Sequence, residues 1–232
     1  MCGRYTLFAS RATLERRFEA SVPSTFDPRY NCAPGQELLV LRDDDRGRFR
    51  RAEWGFTPEW ADESMELINA RAETVAEKPA FRSAFETRRC VVPADGFYEW
   101  ADLGDGKRPY RVAFEDDRPF AMAGLWTHWE PPTTQTSLGA FGDEGERDAD
   151  AVECFTVVTT EPNDVVDPLH HRMAVIIDDN EVERWLADDT PADDLQAMLR
   201  THPGDEMTAT LVSDRVGNPA NDDPGLLEAD GD

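Results

Sequence analysis

The stretch RCVVPADGFYEW, residues 89–100, decides the fold class. RCVVP (89–93) and GFYEW (96–100) are short runs rich in β-branched and aromatic residues, with a Pro-Ala-Asp-Gly break between them. That is the pattern of two strands meeting at a tight connection. Working outward, further strands are expected at 3–8, 37–41, 48–54, 109–114, 119–126, 153–160, 172–177 and 208–213. Helices are expected from Ser10, which can cap a turn carrying Leu14 and Phe18, and near 80–86, 179–187 and 191–200. Many strands with few helices between them predict an α+β fold, not a doubly wound parallel sheet.

Composition narrows the class. The 232 residues hold 24 Lys+Arg against 48 Asp+Glu, a formal charge of −24, and only Lys78 and Lys107 of the cations are lysine. With 40% hydrophobic residues there is ample material for a core, so wholesale disorder is not expected. No run is long and apolar enough to span a bilayer, and the N-terminus lacks a signal segment, so a cytoplasmic protein with no membrane partner is expected. The acidic, lysine-poor surface fits a salt-adapted protein whose self-repulsion is screened. Residues 130–151 read as an acidic surface insertion, and the domain is expected to span 1–222 with a frayed acidic tail at 223–232. Nothing suggests a coiled coil, and a monomer is expected.

The cysteines Cys2, Cys32, Cys90 and Cys154 are scattered, with no CxxC pair and no Cys/His cluster, so neither a metal site nor a disulfide framework is expected. Cys2 differs by position. Once Met1 is removed, it carries a free α-amine beside its thiol, and an α-amine has a pKa near 7.7–8.0. Amine and thiol on adjacent carbons can trap an aldehyde twice, as an imine and then a five-membered thiazolidine ring. By position alone, Cys2 could equally be only the residue after the start codon. Glu99 lies on a strand apolar on both faces, where desolvation suits a carboxylate to proton transfer near neutrality; pairing with an arginine is the alternative. His170-His171-Arg172-Met173 precedes an apolar run, offering an acid–base group and a phosphate-holding cation or merely solvated side chains. Asn69, Arg71 and Glu73 alternate, so an extended segment would aim all three one way. Trp54 and Trp60 flank a Pro turn; an exposed Trp there could stack on a base.

Taken together, MCGRY (1–5), YNCAPGQ (30–36), WGFTPEW (54–60), INARAET (68–74), FRSAF (81–85), RCVVPADGFYEW (89–100), AGLW (123–126), FTVVTTEPN (155–163), HHRM (170–173) and VSDRVGNPAN (212–221) resemble the SOS-response-associated peptidase family, also described as abasic-site processing proteins. The resemblance covers nearly the whole chain. It implies a single domain with a curved, barrel-like β core flanked by short helices, and a cleft for single-stranded DNA. It also implies covalent cross-linking to abasic sites through a thiazolidine at Cys2, with no cofactor. In that scheme Cys2, Asn69, Glu99 and His170 are the catalytic set: Cys2 the nucleophile, Asn69 the positioner of sugar and N-terminus, Glu99 the acid catalyst and His170 a proton shuttle. Arg71 and Arg172 contact phosphate, and Arg4 and Trp60 belong to the DNA cleft. The family's peptidase name implies self-cleavage that exposes Cys2, and no separate proteolytic triad is visible. His171 and Ala174 stand where relatives often carry Asp and Pro.

The charge of −24 sets a condition on such a protein. At molar salt the Debye length is about 3 Å, and the gain from releasing counterions largely vanishes. Affinity must then come from close hydrogen bonds, stacking or a covalent bond, and the arginines are expected to gather in one cleft. Two other readings stay open. One is an N-terminal-cysteine glutamine amidotransferase-like hydrolase, for which neither an Asn-Gly oxyanion segment nor a synthetase domain is found. The other is a non-catalytic single-stranded-DNA binding module.

Overall fold

The computed structural model describes residues 2–102, 104, 106–131 and 151–230. In chain order the elements are β1 (Tyr5–Leu7), α1 (Arg11–Phe18), β2 (Arg29–Cys32), β3 (Glu37–Arg42), β4 (Asp45–Trp54), β5 (Asn69–Arg71) and α2 (Arg82–Thr87). There follow β6 (Arg89–Ala94), β7 (Gly96–Asp102), β8 (Lys107–Phe114), β9 (Phe120–Trp129), β10 (Val152–Thr160), β11 (Met173–Ala174) and β12 (Ile176–Ile177). The chain ends with α3 (Val182–Trp185), α4 (Ala192–Met198), β13 (Met207–Leu211) and 3-10 turns at Asp214–Gly217 and Pro224–Leu227. The α+β class holds, with α1 the longest helix among the described residues, at 8 residues.

Two sheets form the core. One runs β13-β8-β7-β1-β2, and the other runs β11-β10-β4-β3-β6-β9-β12 with β5 added on β10. In the larger sheet β10 pairs in parallel with β4 and antiparallel with β9, so the sheet curls round on itself. Residues 89–100 join the two: β6 lies in the curled sheet against β3 and β9, and β7 lies in the other against β1 and β8. All six residues of β6 are buried, which is why it lacks the alternation of a half-exposed strand. The switch between sheets occurs at Asp95-Gly96. A Cβ at Gly96 would stand 2.5 Å from Arg111 Nε and 3.0 Å from Thr6 Oγ1, so a side chain here would displace Arg111 from the crossing. Buried Asp95 accepts hydrogen bonds from the Phe8 and Ala9 amides, tying the crossing to the end of β1.

On β7 the predicted alternation is realised. Phe97 belongs to the main core, whereas Tyr98 packs with Val212, Val216 and Trp100 on the opposite face. The Ser10 cap is also present, its hydroxyl accepting from the Thr13 amide, and α1 seats Leu14 and lays Phe18 edge-on against Phe49.

Three expectations are corrected. The strand expected at 172–177 is two, because β11 pairs with β10 while β12 pairs with β9. Val175 bridges them, donating to the Val158 carbonyl and accepting from the Ala123 amide. The segment from 223 onward is not a frayed tail up to residue 230. Leu226 is fully buried, Asp223 caps the last turn, and Asp230 accepts from the Ser213 hydroxyl and the Asp214 amide. Apolar burial and satisfied amides outweigh the repulsion that the composition suggested.

The arginines, finally, are not gathered in one cleft. They are dispersed and paired: Arg17 with Asp179, Arg29 with Asp222, Arg42 with Asp44 and Glu153, Arg118 with Asp116 and Glu206, Arg200 with Asp178 and Glu181. With twice as many acids as bases, most of the guanidiniums among the described residues find a carboxylate nearby, and those cations are spent locally. Of the acidic insertion, residues 132–150 lie outside the described residues.

Candidate active site

Cys2 enters the site directly ahead of β1 and is fully buried. Its carbonyl accepts a hydrogen bond of 3.0 Å from Asn69 Nδ2. Asn69 opens β5, which is held in register by parallel pairing of Asn69 with Val157 and Arg71 with Thr159 on β10. Asn69 Oδ1 is buried and has no hydrogen-bond partner among the described residues, so the amide has an acceptor to spare beside the Cys2 backbone.

Glu99 comes from β7, on the face it shares with Phe97, and is 2% exposed. Burial raises its carboxyl from an ordinary 4.5 to about 7. Its Oε2 lies 3.9 Å from His170 Nδ1, and Oε1 is buried without a hydrogen-bond partner among the described residues. The alternative reading, an ion pair with an arginine, is not realised among the described residues. Burial also pushes the Cys2 thiol well above its usual range, and the nearby Glu99 charge adds to the effect. The thiol is therefore protonated at neutral pH until a base takes its proton.

His170 lies in the segment between β10 and β11. Burial lowers its pKa, so the neutral imidazole prevails at pH 7. Its Nδ1 accepts from the Arg172 amide at 3.1 Å and also stands 3.1 Å from the Arg172 carbonyl. The His171 ring packs on it with centroids 4.3 Å apart.

Of the expected DNA contacts, Arg71 is exposed and makes no ion pair among the described residues. Arg4 is half-buried, donates to the Gly3 carbonyl and keeps a buried Nε without a partner among the described residues. Arg172 is committed: its guanidinium forks onto both oxygens of Glu73 and donates to the Thr159 carbonyl. Trp60 is 62% exposed on the turn after β4, and it is not part of the Cys2–Glu99–His170 cluster. Glu73, which the alternation placed on one side with Asn69 and Arg71, is the carboxylate that holds Arg172. The alternation that placed it beside Arg71 ends where β5 turns away after Arg71. The sequence carried no signal for this long-range partner.

The decisive comparison covers nearly the whole chain. Residues 1–219 match the family described as SOS response associated peptidase (SRAP). The chain belongs to the SRAP family. Among its relatives, abasic site processing protein YoqW of Bacillus subtilis (strain 168) is 36% identical over 238 residues, spanning 99% of this chain and all of that protein. Abasic site processing protein YedK of Escherichia coli (strain K12) is 27% identical, spanning 98% of this chain and 99% of that protein. A crystal structure of a protein from Bacteroides thetaiotaomicron superposes with a TM-score of 0.84 over 99% of this chain at 23% identity, a likeness of fold. The SRAP segments MCGRY, INARAET, GFYEW and HHRM, far apart in sequence, are the ones that supply Cys2, Asn69, Glu99 and His170.

Proposed function

We propose that this SRAP protein processes abasic sites in single-stranded DNA by forming a covalent thiazolidine link through Cys2 once Met1 has been removed, shielding the lesion during repair. The observation that carries the reading is the convergence of Cys2, Asn69, Glu99 and His170 on the start of the chain, with a carboxyl tuned to about 7 and no cation paired to it among the described residues. The names of the relatives support the substrate.

The abasic sugar enters closed. Glu99, whose carboxyl is raised by burial to about 7 so that it can hold or release a proton near neutrality, and neutral His170 exchange protons with the ring oxygen and hydroxyl so that the sugar opens to its aldehyde. Asn69 holds the Cys2 carbonyl, which orients the α-amine on the same residue. The amine adds to C1′, and loss of one water gives the imine. Glu99 as carboxylate then takes the thiol proton, sulfur attacks the imine carbon, and the nitrogen recovers a proton as the ring closes. Because burial disfavours the thiolate, the amine acts first and the thiol second.

Arg4 and Arg71 contact the phosphates, Arg172 adds its charge beside them, and Trp60 stacks on a base. No resident cofactor or metal enters the scheme. The protein acts as a monomer in the cytoplasm, at the nucleoid when bound to DNA, and removal of Met1 is self-cleavage or the work of an aminopeptidase. The test is a denaturing gel of protein with single-stranded DNA bearing one abasic site, wild type beside Cys2→Ala. A shifted band present only with Cys2 is expected. No band in wild type shown to lack Met1 would sink the reading, and glutamine hydrolysis would be measured next.

A further inference from the structure

At Nδ1, His170 meets the backbone of Arg172. Arg172 presents both an amide donor and a carbonyl acceptor to Nδ1, each at 3.1 Å. When the neutral ring carries its proton on Nε2, the amide donates to Nδ1. With imidazolium, Nδ1–H donates to the carbonyl while facing Glu99 Oε2 at 3.9 Å. The ring can therefore take and return a proton without moving, provided that the Arg172 backbone stays where it is.

The side chain of Arg172 keeps that backbone in place. Its Nη1 and Nη2 reach the two Glu73 oxygens at 2.5 and 3.0 Å, and Nη2 also donates to the Thr159 carbonyl. That carbonyl accepts the Ala72 amide as well, so one oxygen joins the end of β5, β10 and the segment leading into β11. The guanidinium side chain is only 12% exposed, and Glu73 is 47% exposed, so the carboxylate closes the fork from the solvent side.

We propose that Glu73 is a positioning residue for this chemistry: by clamping Arg172 it fixes the backbone amide and carbonyl between which His170 Nδ1 is held, and so sets the balance of the imidazole tautomers. The inference rests on the role given to His170 above and goes beyond it, because it assigns the Arg172 side chain to the proton shuttle as well as to DNA. Both bonds of the fork are charge-assisted, and a neutral amide at residue 73 keeps the shape while losing that strength. The charged groups surrounding His170 are the N-terminal amine, Glu99 from β7, Lys107 from β8, and its neighbours His171 and Arg172; none of them reproduces the clamp.

Two measurements test it. The first uses the free protein and needs no DNA: long-range ¹H–¹⁵N spectra of the imidazoles at alkaline pH, wild type beside Glu73→Gln. Glu73→Gln is expected to change the balance of His170 tautomers from that of the wild type. The second is single-turnover cross-linking. Glu73→Gln is expected to lower the maximal rate about tenfold while the half-saturating DNA concentration stays within about twofold, and to cost nothing further in a His170→Ala background. An unchanged tautomer in Glu73→Gln overturns the proposal, as does a full loss repeated on top of His170→Ala or a change confined to half-saturation. Glu73→Asp, which keeps the charge but is too short to fork, replaces Glu73→Gln if that variant does not fold. If wild type forms no cross-link, the functional reading falls, and the tautomer spectra still decide the clamp.

Discussion

Replacing Glu99 with Gln is expected to make the protein more stable and less active, and the stability gain should depend on pH in a calculable way. Glu99 is 2% exposed, and its carboxyl rises from 4.5 to about 7 through burial. In the unfolded chain it titrates near 4.5, so between the two values the native state holds a proton that the unfolded state has released. Stability therefore falls as pH rises through this window, and the loss is complete above the folded value. A displacement of about 2.5 pKa units at 1.36 kcal/mol each comes to about 3 kcal/mol at pH 8, against about 1 kcal/mol at pH 5. Glutamine has no charge to desolvate. Glu99→Gln should thus exceed wild type by about 3 kcal/mol at pH 8 and by about 1 kcal/mol at pH 5. In a chain of this size the former is a rise in Tm of roughly 6–12 °C. Urea unfolding of both proteins at the two pH values measures it, with equal slopes required before midpoints are compared. Cross-linking by the variant should fall by about 10²-fold or more, the usual worth of a positioned acid–base group. A Glu99→Gln protein equal to or less stable than wild type at pH 8 would refute the argument, because it would mean that the carboxylate is satisfied in the folded state.

Three further outcomes follow from the same geometry. Asn69→Ala removes the 3.0 Å bond to the Cys2 carbonyl and is expected to slow cross-linking about tenfold in single-turnover kinetics while DNA binding is retained. Arg71→Gln removes an exposed cation with no ion pair among the described residues and should weaken DNA binding and reduce the slope of log affinity against log salt by about one, whereas Arg215→Gln, whose guanidinium is paired with Asp223, should leave both unchanged. Leu226→Ala in the docked C-terminal turn should cost about 2–4 kcal/mol in urea unfolding; a cost below about 0.5 kcal/mol would mean that the segment frays after all.

What the sequence disclosed, and what it hid, divides by the range of the interactions involved. The runs that became β6, β7, β9 and β10 were legible because their neighbours on each face are apolar and the pattern is local. Glu99 stood out for the same reason, as a carboxylate in an apolar strand. By contrast, β2 was missed because Arg29-Tyr30-Asn31-Cys32 looks polar in isolation. Its polar groups are satisfied from the far end of the chain, where Asp222 accepts the Tyr30 and Asn31 amides and the Asn31 side chain donates to the carbonyls of Val216, Asn218 and Asn221. The break at Val175 was illegible because MAVII is one apolar run whose two ends pair with different strands. Nor could composition place the arginines, since ion pairs such as Arg29–Asp222 and Arg17–Asp179 join residues remote in sequence. The approach of His170 to Glu99 is of the same kind: each was a candidate alone, and only the fold makes them a pair.

The central claim is that Cys2, as the first residue of the mature chain, is the atom source for the bond to DNA. Its most direct test is tandem mass spectrometry of the cross-linked product after nuclease and protease digestion. The account predicts an N-terminal peptide that begins at Cys2, lacks Met1, and carries the opened deoxyribose with the loss of one water, resistant to borohydride because the imine has closed to a thiazolidine. An adduct mapped to Lys107 or any other side chain, or one on a peptide that still begins with Met1, would contradict it.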